Sequence, residues 1–357
     1  MSTEHPSTEH PSTEHPSTVR SREVHLVNRP SGGAPKSDDV TIVEVDVAAG
    51  PGQVLVRNTV MSVEPYMRGR MSETTSYVAP FGLGEPMDGP ATGVVAWSDV
   101  PELPVGTDVV HQFGWREYVA LDPADVEAVD VDGLKPTDHL GALGQTGMTA
   151  WIGMNIIAKV QPGDTVFVSS AAGGVGAVAG QLAKAKGCTV IGSCGSADKV
   201  AAAVKDFGFD TAFDYHDGRI RDLLRGCIEE VGKPGLDVYF DNVGAEHLEA
   251  AIREMNEHGR IALCGMIAVY NATEPVPGPR NLLLMIWRRL RMEGYLLGDH
   301  EDARGEFLAE MTELVRRGEV TSPETYVGHG IEEAFAGFQT LLEGRAVIGK
   351  ALVSLEG

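Results

Sequence analysis

Short runs of β-prone apolar residues, separated by Gly and Pro, dominate the chain up to about residue 121. The predicted strands cover residues 23–27, 41–47, 53–60, 91–97, 108–112 and 117–121. Several short strands with turn residues between them indicate a compact β-rich domain. We therefore expect the first third of the chain to fold as a compact β-rich unit with many turns.

The pattern changes near residue 164, where buried-strand runs begin to alternate with segments of helical period. Strands are predicted at 166–168, 189–191, 211–214, 238–241, 260–264 and 294–297, and helices at 197–207, 220–230, 246–256 and 303–316. This alternation predicts an α/β fold, a doubly wound parallel sheet with helices on both faces. A final strand within 344–355 is expected to pair with the β-rich domain, which would make that domain discontinuous in sequence.

The turn between the first strand of the alternating region and its first helix is rich in glycine. Ala171, Gly173 and Gly176 match the dinucleotide fingerprint G-x-G-x-x-G, with alanine at its first position. The helix that follows has an apolar stripe at Val175, Val178, Ala179, Leu182 and Ala183. Gly173 would let the backbone approach a pyrophosphate, and free N–H groups at the helix start would face the anion. We predict a dinucleotide site here, with an ordinary turn as the alternative.

The residues after the second strand of this region indicate which dinucleotide binds. An NAD site places a carboxylate about 20 residues after the loop, on the adenosine ribose. This chain has Ser193, Cys194, Gly195 and Ser196 there, and Lys199 follows one turn later. Because no acid would repel a 2′-phosphate and one cation could reach it, we expect NADPH as the cofactor. The alternative is that Lys199 is a solvated helix residue.

Composition narrows the classes of function. The 357 residues include 51 acidic and 29 basic ones, and the net charge of -22 disfavours nucleic acid and anionic membranes as partners. No apolar run approaches the roughly 18 residues of a membrane span, and the N-terminus lacks a signal pattern, so we expect a cytoplasmic protein. The four cysteines form no C-x-x-C pair and are expected to be reduced, structural thiols.

Two stretches follow neither periodic pattern. Residues 2–16 are STEHP written three times, so residues 1–18 are expected to form a disordered tail. Residues 61–71, MSVEPYMRGRM, show neither strand nor helix period and suit a loop that lines a site, with a plain core turn as the alternative. We expect Arg68 and Arg70 to fix this loop rather than to bind a carboxylated substrate.

Motifs along nearly the whole chain after the tail, in the right order, resemble one known family. They are VEPYMRGRM (63–71), PFGLGEPMDG (80–89), GWREY (114–118), LGALGQTGMTAW (140–151), AAGGVGAVAGQLAKAKGC (171–188), FDNVG (240–244), CGMIAVYN (264–271) and RLRMEGY (289–295). The chain resembles the zinc-independent medium-chain dehydrogenase/reductases. The subgroup is that of leukotriene B4 12-hydroxydehydrogenase/prostaglandin reductase, plant alkenal double-bond reductases and bacterial curcumin reductase.

This resemblance implies a fold, a cofactor and a reaction. The expected fold is a GroES-like domain (19–147 and 322–357) with a Rossmann NADPH-binding domain (148–321) and a cleft between them. The expected reaction is NADPH-dependent reduction of the C=C bond of a small α,β-unsaturated aldehyde or ketone, by hydride transfer to its β-carbon without a metal. Members of the family are usually homodimers, so we expect a homodimer.

The resemblance also implies cofactor contacts at particular residues. The phosphate-loop contacts fall on Gly174, Val175, Gly176 and Ala177, and the 2′-phosphate contact falls on Lys199. Tyr215 is implied near the adenosine, Asn242 near the ribose and nicotinamide, Cys264, Gly265, Met266, Ile267 and Tyr270 along the pyrophosphate and nicotinamide, and Tyr295, Leu296 and Leu297 by the carboxamide. The reasoning from the residues themselves agrees on the loop and on Lys199.

Two positions depart from the family. Val347 stands where members often have Asn shortly before the final Gly-Lys, which puts a side-chain amide contact to the cofactor in doubt. Trp287 stands where several members have a tyrosine, so the role of a phenol as an acid cannot be transferred to that position.

Reduction of an enone places negative charge on its carbonyl oxygen, so the site needs a hydrogen-bond donor there. Tyr270 and, as the weaker candidate, Tyr66 are the phenols we expect to act in catalysis, and either could instead be an aromatic wall. Quinone reduction by the same fold and cofactor stays open, as does a redox-inert NADPH-binding or scaffold protein.

A zinc alcohol dehydrogenase is disfavoured by the residue types present. Catalytic zinc needs Cys, His and carboxylate ligands around an open position. The β-rich domain has no cysteine and no Gly-His-Glu run, and His111 and His139 are isolated in the sequence. We therefore expect no metal site, and we expect these histidines to be structural.

Overall fold

The computed structural model describes residues 18–30, 32–73, 77–129, 133–344 and 346–356. Apart from Thr18, the residues predicted to form a tail lie outside these ranges. The described residues contain two large sheets, one mostly antiparallel and one parallel. The predicted fold class, a β-rich part joined to a doubly wound α/β part, is confirmed.

Strands from both ends of the chain build the β-rich part. The elements are β1 (Val19–Leu26), β2 (Val40–Val47), β3 (Val54–Ser62), a helical turn α1 (Met67–Arg70), β4 (Ala91–Ser98), β5 (Asp108–His111), β6 (Tyr118–Leu121) and β7 (Val126–Ala128). β1 and β2 form an antiparallel pair beside a seven-stranded sheet in which β6 pairs with β3.

The alternating part begins with a helix that carries side chains into the space between the sheets. Its elements are α2 (Gln145–Trp151), β8 (Thr165–Ser169), α3 (Gly174–Ala185), β9 (Thr189–Cys194), α4 (Ala197–Lys205), β10 (Thr211–Asp214), α5 (Ile220–Glu230), β11 (Leu236–Asp241), α6 (Ala245–Glu254), β12 (Met255–Leu263), α7 (Leu283–Trp287), β13 (Arg291–Gly294) and α8 (Arg304–Arg316). The strand order is β10-β9-β8-β11-β12-β13, and every neighbouring pair is parallel. The order reverses at β8, and in such sheets the ligand crevice lies outside the carboxyl ends of the strands at this point.

The chain then returns to the first sheet. The last elements are β14 (Glu324–His329), α9 (Ala334–Leu342) and β15 (Lys350–Ser354). β15 pairs with β3 in antiparallel register, with Leu352 opposite Ser62, and with β14 in parallel register. The predicted return of the C-terminal strand to the β-rich sheet is therefore confirmed.

Close packing of α3 on the sheet follows from small residues on its inner face. Residues 176–183 are buried, and a β-carbon on Gly180 would overlap the ring of Phe209. Glycine at this position lets the helix axis approach the strands, since an interior as dense as an organic crystal leaves no room for a displaced ring. This packing fixes where the first turn of α3 points.

Several predictions of local structure were wrong, among them the following three. The last strand of the parallel sheet is β13 (Arg291–Gly294), not 294–297, because the strand is an edge whose Arg and Glu side chains face outward and give no apolar run. Helix α6 ends at Glu254, two residues early, because Met255 already pairs with Leu236 in the sheet. Segment 61–71 is partly regular, since its first two residues finish β3 and α1 forms one helical turn.

Arginines hold the segment around α1 in place. The Arg70 guanidinium forms a two-point ion pair with Asp88 and lies 4.1 Å over the ring of Phe81. Arg68 donates to the Gly33 carbonyl at 2.9 Å. Both side chains bond neighbouring segments of the fold, as expected for residues that fix the loop.

The four cysteines are free thiols in the structure. None of the helices in the described ranges combines the length and apolarity that a bilayer span requires.

Candidate functional site

A cavity lies between the two sheets, at the carboxyl ends of β8, β9 and β11 and against the segment that follows β3. Segments distant in sequence line it: residues 63–66 and Tyr77, Thr146 and Thr149 on α2, the loop and first turn of α3, Lys199, Asn242, and the residues Cys264, Gly265, Ile267, Tyr270, Leu341, Gly344, Val347, Gly349, Lys350 and Ala351. The site thus combines groups from the β-rich part and the parallel-sheet part.

The phosphate loop presents bare backbone to this cavity. Gly173 is the N-cap of α3 and offers no side chain to its first turn, so the N–H groups of Gly174, Val175 and Gly176 have no partner within the helix. A β-carbon on Gly176 would overlap the Ser170 carbonyl oxygen. Glycine is therefore required there, and the open N–H groups with the helix dipole form a cradle that fits a diphosphate.

Lys199 lies at one end of the cavity. Its backbone N–H donates to the Ser196 side chain, which caps α4, and its ammonium donates to the Gly344 carbonyl at 2.7 Å. Burial lowers the pKa of Lys199 from its ordinary value. An ammonium that bonds a neutral carbonyl can exchange it for a phosphate, which forms a stronger, charge-assisted bond.

Tyr215 stands near this end but outside the cavity lining. Its hydroxyl oxygen is 3.1 Å from the position of a β-carbon on Gly195, and its ring contacts that of His247 edge-on at 5.6 Å. The ring therefore forms a wall just beyond the carboxyl end of β9. A flat aromatic surface there suits an adenine or its ribose.

Asn242 is oriented by buried polar groups at the end of β11. Its backbone N–H donates to the Ser169 hydroxyl at 2.9 Å and its side-chain amide donates to the Ser169 carbonyl at 2.7 Å. The Asp241 carboxylate accepts from the Tyr239 hydroxyl at 2.6 Å and from the N–H groups of Val243 and Gly244. This network holds the turn so that Asn242 lines the cavity.

Three phenols meet at the other end of the cavity. Tyr66 follows β3, Tyr77 lies on a loop of the β-rich part, and Tyr270 follows β12. Burial raises the pKa of all three, that of Tyr66 the most and that of Tyr77 to about 12. The phenols therefore keep their protons at neutral pH and can act as hydrogen-bond donors.

Of the residues predicted from the sequence, most line this one cavity: Tyr66, Gly173, Gly174, Val175, Gly176, Lys199, Asn242, Cys264, Gly265, Ile267 and Tyr270. Burial raises the pKa of the Cys264 thiol to about 12, and the nearby Asp241 carboxylate acts in the same direction. The thiol is therefore protonated at neutral pH and is not a nucleophile there.

The other predicted residues lie outside the cavity lining. Ala177 is buried and its N–H donates to the Gly173 carbonyl, so it closes the first helical turn. The hydroxyl of Tyr295 donates to the Thr149 carbonyl at 2.8 Å, behind α2. Leu297 lines a separate cavity on the far side of α2, and Leu296 and Met266 are partly exposed.

Sequence reasoning missed six polar residues of the cavity: Glu64, Tyr77, Thr146, Thr149, Ser170 and Lys350. The ammonium of Lys350 donates to the Glu64 carboxylate at 2.6 Å and to the Thr146 hydroxyl at 2.7 Å, and Lys350 is only 4% exposed. One signal was available: a lysine heads a strand, Lys350–Ser354, that is otherwise apolar apart from its last residue. A charge at such a position needs a partner, but the sequence does not say which one.

The chain is similar to known proteins of one family. The family model "N-terminal domain of oxidoreductase" matches residues 22–129, and "Zinc-binding dehydrogenase" matches residues 174–313. A 2-alkenal reductase (NADP(+)-dependent) of Nicotiana tabacum is 37% identical over 341 residues, covering 94% of this chain and 97% of the relative. The NADPH-dependent curcumin reductase of Escherichia coli is 35% identical, covering 95% and 98%. CurA from Vibrio vulnificus in complex with NADPH superposes with a TM-score of 0.87 at 34% identity, covering 94% and 99%.

The chain belongs to the zinc-independent medium-chain dehydrogenase/reductases. The subfamily is that of the alkenal, curcumin and prostaglandin reductases, as the resemblance of the motifs predicted.

His111 and His139, the histidines singled out from the sequence, both line a second cavity, separate from that of the candidate site. The Nδ1 atom of His111 accepts from the Phe113 N–H, so its Nε2–H donates to the Asn58 side chain at 2.8 Å. Burial lowers the pKa of His111 to about 3, so the ring is neutral. No cluster of three or more His, Cys, Asp or Glu side chains suited to a metal ion occurs within the described ranges.

The C-terminal departure from the family also has a structural setting. Val347 is buried and lines the cavity. Two residues later the Gly349 N–H donates to the Ala172 carbonyl at 2.8 Å, which joins this segment to the phosphate loop. Backbone hydrogen bonds thus hold the segment against the loop without a side-chain amide.

Trp287, the second position that departs from the family, is 62% exposed on α7 and lies outside the cavity lining.

Proposed function

We propose that this protein reduces the C=C bond of α,β-unsaturated aldehydes or ketones with NADPH. The observation that carries the proposal is one continuous cavity with a phosphate cradle and Lys199 at one end and three protonated phenols at the other. The relatives named as NADP-dependent alkenal reductase and curcumin reductase match over nearly the full chain and support the same reaction.

The cofactor would be held by groups whose geometry suits its parts. The open N–H groups of the α3 first turn would bind the diphosphate, and Lys199 would bind the 2′-phosphate. The side chain of Asn242 and the backbone of residues 264–267 would face the ribose and nicotinamide end. When bound, NADPH supplies the hydride that reduces the β-carbon of the acceptor.

The phenols would act on the carbonyl oxygen of the acceptor. Tyr270, the first candidate, and Tyr66 each carry a hydroxyl hydrogen that burial keeps in place. A donor aimed at that oxygen stabilises the enolate charge, and a preformed donor in a site that excludes water acts strongly. The enolate then takes a proton at its α-carbon from a phenol or from water.

We also infer the domain limits and assembly expected from the sequence. The pairing of β15 with β3 supports a β-rich domain of residues 19–147 and 322–357 around a nucleotide domain of residues 148–321.

An exposed apolar patch on and before α7, formed by Leu282, Leu283, Ile286 and Trp287, lies next to edge strand β13 and supports a homodimer. Free thiols suit a cytoplasmic location.

The test is an NADPH oxidation assay of the purified protein with a 2-alkenal, an alkenone and a quinone as acceptors. We expect turnover with the alkenal and alkenone, and a saturated aldehyde as product of the alkenal. Preference for the quinone would replace the proposal with quinone reduction. Binding of NADPH without turnover of any acceptor in a broad panel would indicate a redox-inert protein.

A further inference from the structure

A buried lysine joins three segments of the chain at the cofactor cavity. Lys350, at the start of β15, is 4% exposed. Its ammonium donates to Glu64, which follows β3, and to Thr146 in the first turn of α2. The Glu64 oxygen also accepts from the Ser62 hydroxyl at 2.9 Å. The ammonium is therefore fixed in position by partners from two other segments.

In this cluster one hydrogen-bond donor, the Thr146 hydroxyl, has no acceptor within the described residues. The Thr146 oxygen accepts from Lys350, so the hydrogen of that hydroxyl must point away from the ammonium. No side chain or carbonyl in the described part of the chain accepts it. Thr146 is itself 4% exposed and lines the cavity. A buried hydroxyl hydrogen with no acceptor is ready to bond a ligand.

The position of this hydroxyl indicates which ligand group it would meet. The Thr146 methyl group is 3.2 Å from the position of a β-carbon on Gly174, and the Lys350 side chain is 3.8 Å from it. Gly349 is bonded to the carbonyl of Ala172 in the phosphate loop. The hydroxyl therefore lies beside the first open N–H groups of α3, where a diphosphate would bind.

We propose that the Thr146 hydroxyl donates a hydrogen bond to the diphosphate of the bound dinucleotide and that Lys350 is the positioning residue that directs this donor. This inference rests on the proposed function, since it takes the cofactor to be NADPH. Glu64 balances the charge of Lys350, so the pair adds an oriented donor rather than a free cation. Its contribution is then the same for NADPH and NADH, in contrast to that of Lys199.

Binding of NADPH and NADH to the purified protein, measured by calorimetry, tests the role of Thr146. Thr146→Val keeps the shape and removes the donor, and we expect both affinities to fall about tenfold, as for a lost hydrogen bond to a charged group. Thr146→Ser keeps the hydroxyl and should retain most of the affinity. Thr340→Val is the matched control on a helix residue outside the cavity lining, because its hydroxyl bonds the Ala336 carbonyl at 3.0 Å.

A double-mutant cycle tests the role of Lys350. Lys350→Met should weaken both nucleotides, but should cost little more in a Thr146→Val background, because Lys350 acts through that hydroxyl. It should also lower the melting temperature by leaving Glu64 buried without its partner. Adding Glu64→Gln should recover melting temperature without recovering affinity, which separates positioning from stability.

The outcomes distinguish this inference from the proposed function. If the wild-type protein binds NADPH and Thr146→Val binds it equally well, the role of Thr146 is refuted while the proposed function stands. Additive effects in the cycle would refute the positioning role of Lys350. If the wild-type protein binds neither nucleotide, both proposals fail together.

Discussion

The two ends of the cavity are built in different ways. The phosphate end comes from one continuous stretch, in which a strand, a glycine-rich turn and a helix follow each other between Thr165 and Ala185. The phenol end is assembled from Tyr66, Tyr77 and Tyr270, which lie in segments far apart in the chain. The first end therefore depends on local backbone geometry, and the second depends on how the two sheets are held together.

The largest expected effect is at the local end. Gly176→Val would drive a side chain into the Ser170 carbonyl, which accepts from the Gly173 N–H and is held in the turn after β8. We expect a loss of about 3 kcal/mol in unfolding free energy and a loss of at least about 100-fold in NADPH affinity, because several N–H groups would be displaced together. Urea unfolding with and without NADPH measures both quantities.

Gly226→Ala is the matched control for that substitution. Gly226 also lies within a helix, but a β-carbon there would meet no atom within 4 Å. Because alanine favours the helix, stability should rise by about 0.5–1 kcal/mol and NADPH binding should stay the same. Equal effects of the two substitutions would remove the special role of the loop.

At the assembled end, Tyr270→Phe should act on turnover rather than on binding. Loss of a donor to a developing oxyanion costs about 100-fold in kcat, whereas the affinity for NADPH should change little, because the phenol contacts the acceptor. Steady-state kinetics and a direct binding titration measure the two effects. Turnover equal to that of the wild type would restrict Tyr270 to a packing role.

Lys199→Ala tests whether the cofactor end selects its nucleotide. The substitution should weaken NADPH about tenfold or more through loss of a charge-assisted bond, while NADH, which lacks the 2′-phosphate, should bind as before. The ratio of the two dissociation constants is the measurement. A parallel loss for both nucleotides would show that Lys199 only supports the Gly344 segment.

The last expected effect concerns stability rather than binding, and it is a pH dependence shared by both parts. Burial lowers the pKa of His111 to about 3 and that of His247 to about 4, from 6.5. The unfolded chain then binds more protons between these values and 6.5, so stability falls as the pH falls through this window, by up to about 1.4 kcal/mol per pH unit for each histidine.

Denaturant unfolding between pH 7 and pH 5 measures this slope. His111→Gln should reduce the slope and His247→Gln should reduce it by a similar amount, since one ring lies in each part of the molecule. A slope that neither substitution changes would mean that other groups carry the acid sensitivity.

The fold was more predictable than the acceptor end of the site. Helix α5 and strand β10 have the predicted limits, because their apolar residues face a sheet on one side and give a clear period. Edge strand β13 was misplaced because its exposed side chains carry no such period. β14 and α9 were not predicted at all.

The same distinction applies to the candidate site residues. Gly173, Gly176 and Lys199 could be found from spacing, because the residues that hold a diphosphate follow one another in the chain. Thr146 and Glu64 could not be found in this way, since each is a candidate only because it bonds Lys350, which is remote from both in sequence. Tyr77 becomes a candidate only through its place beside Tyr270.

Local sequence was enough to predict the nucleotide-binding unit, because a glycine turn between a buried strand and an amphipathic helix leaves N–H groups of the helix start without partners in any fold. The groups that lie opposite that unit depend on tertiary contacts. The return of β15 to β3 brings Lys350 against the phosphate loop and between Glu64 and Thr146, and contacts of this kind arise from long-range strand pairing, which no local pattern encodes.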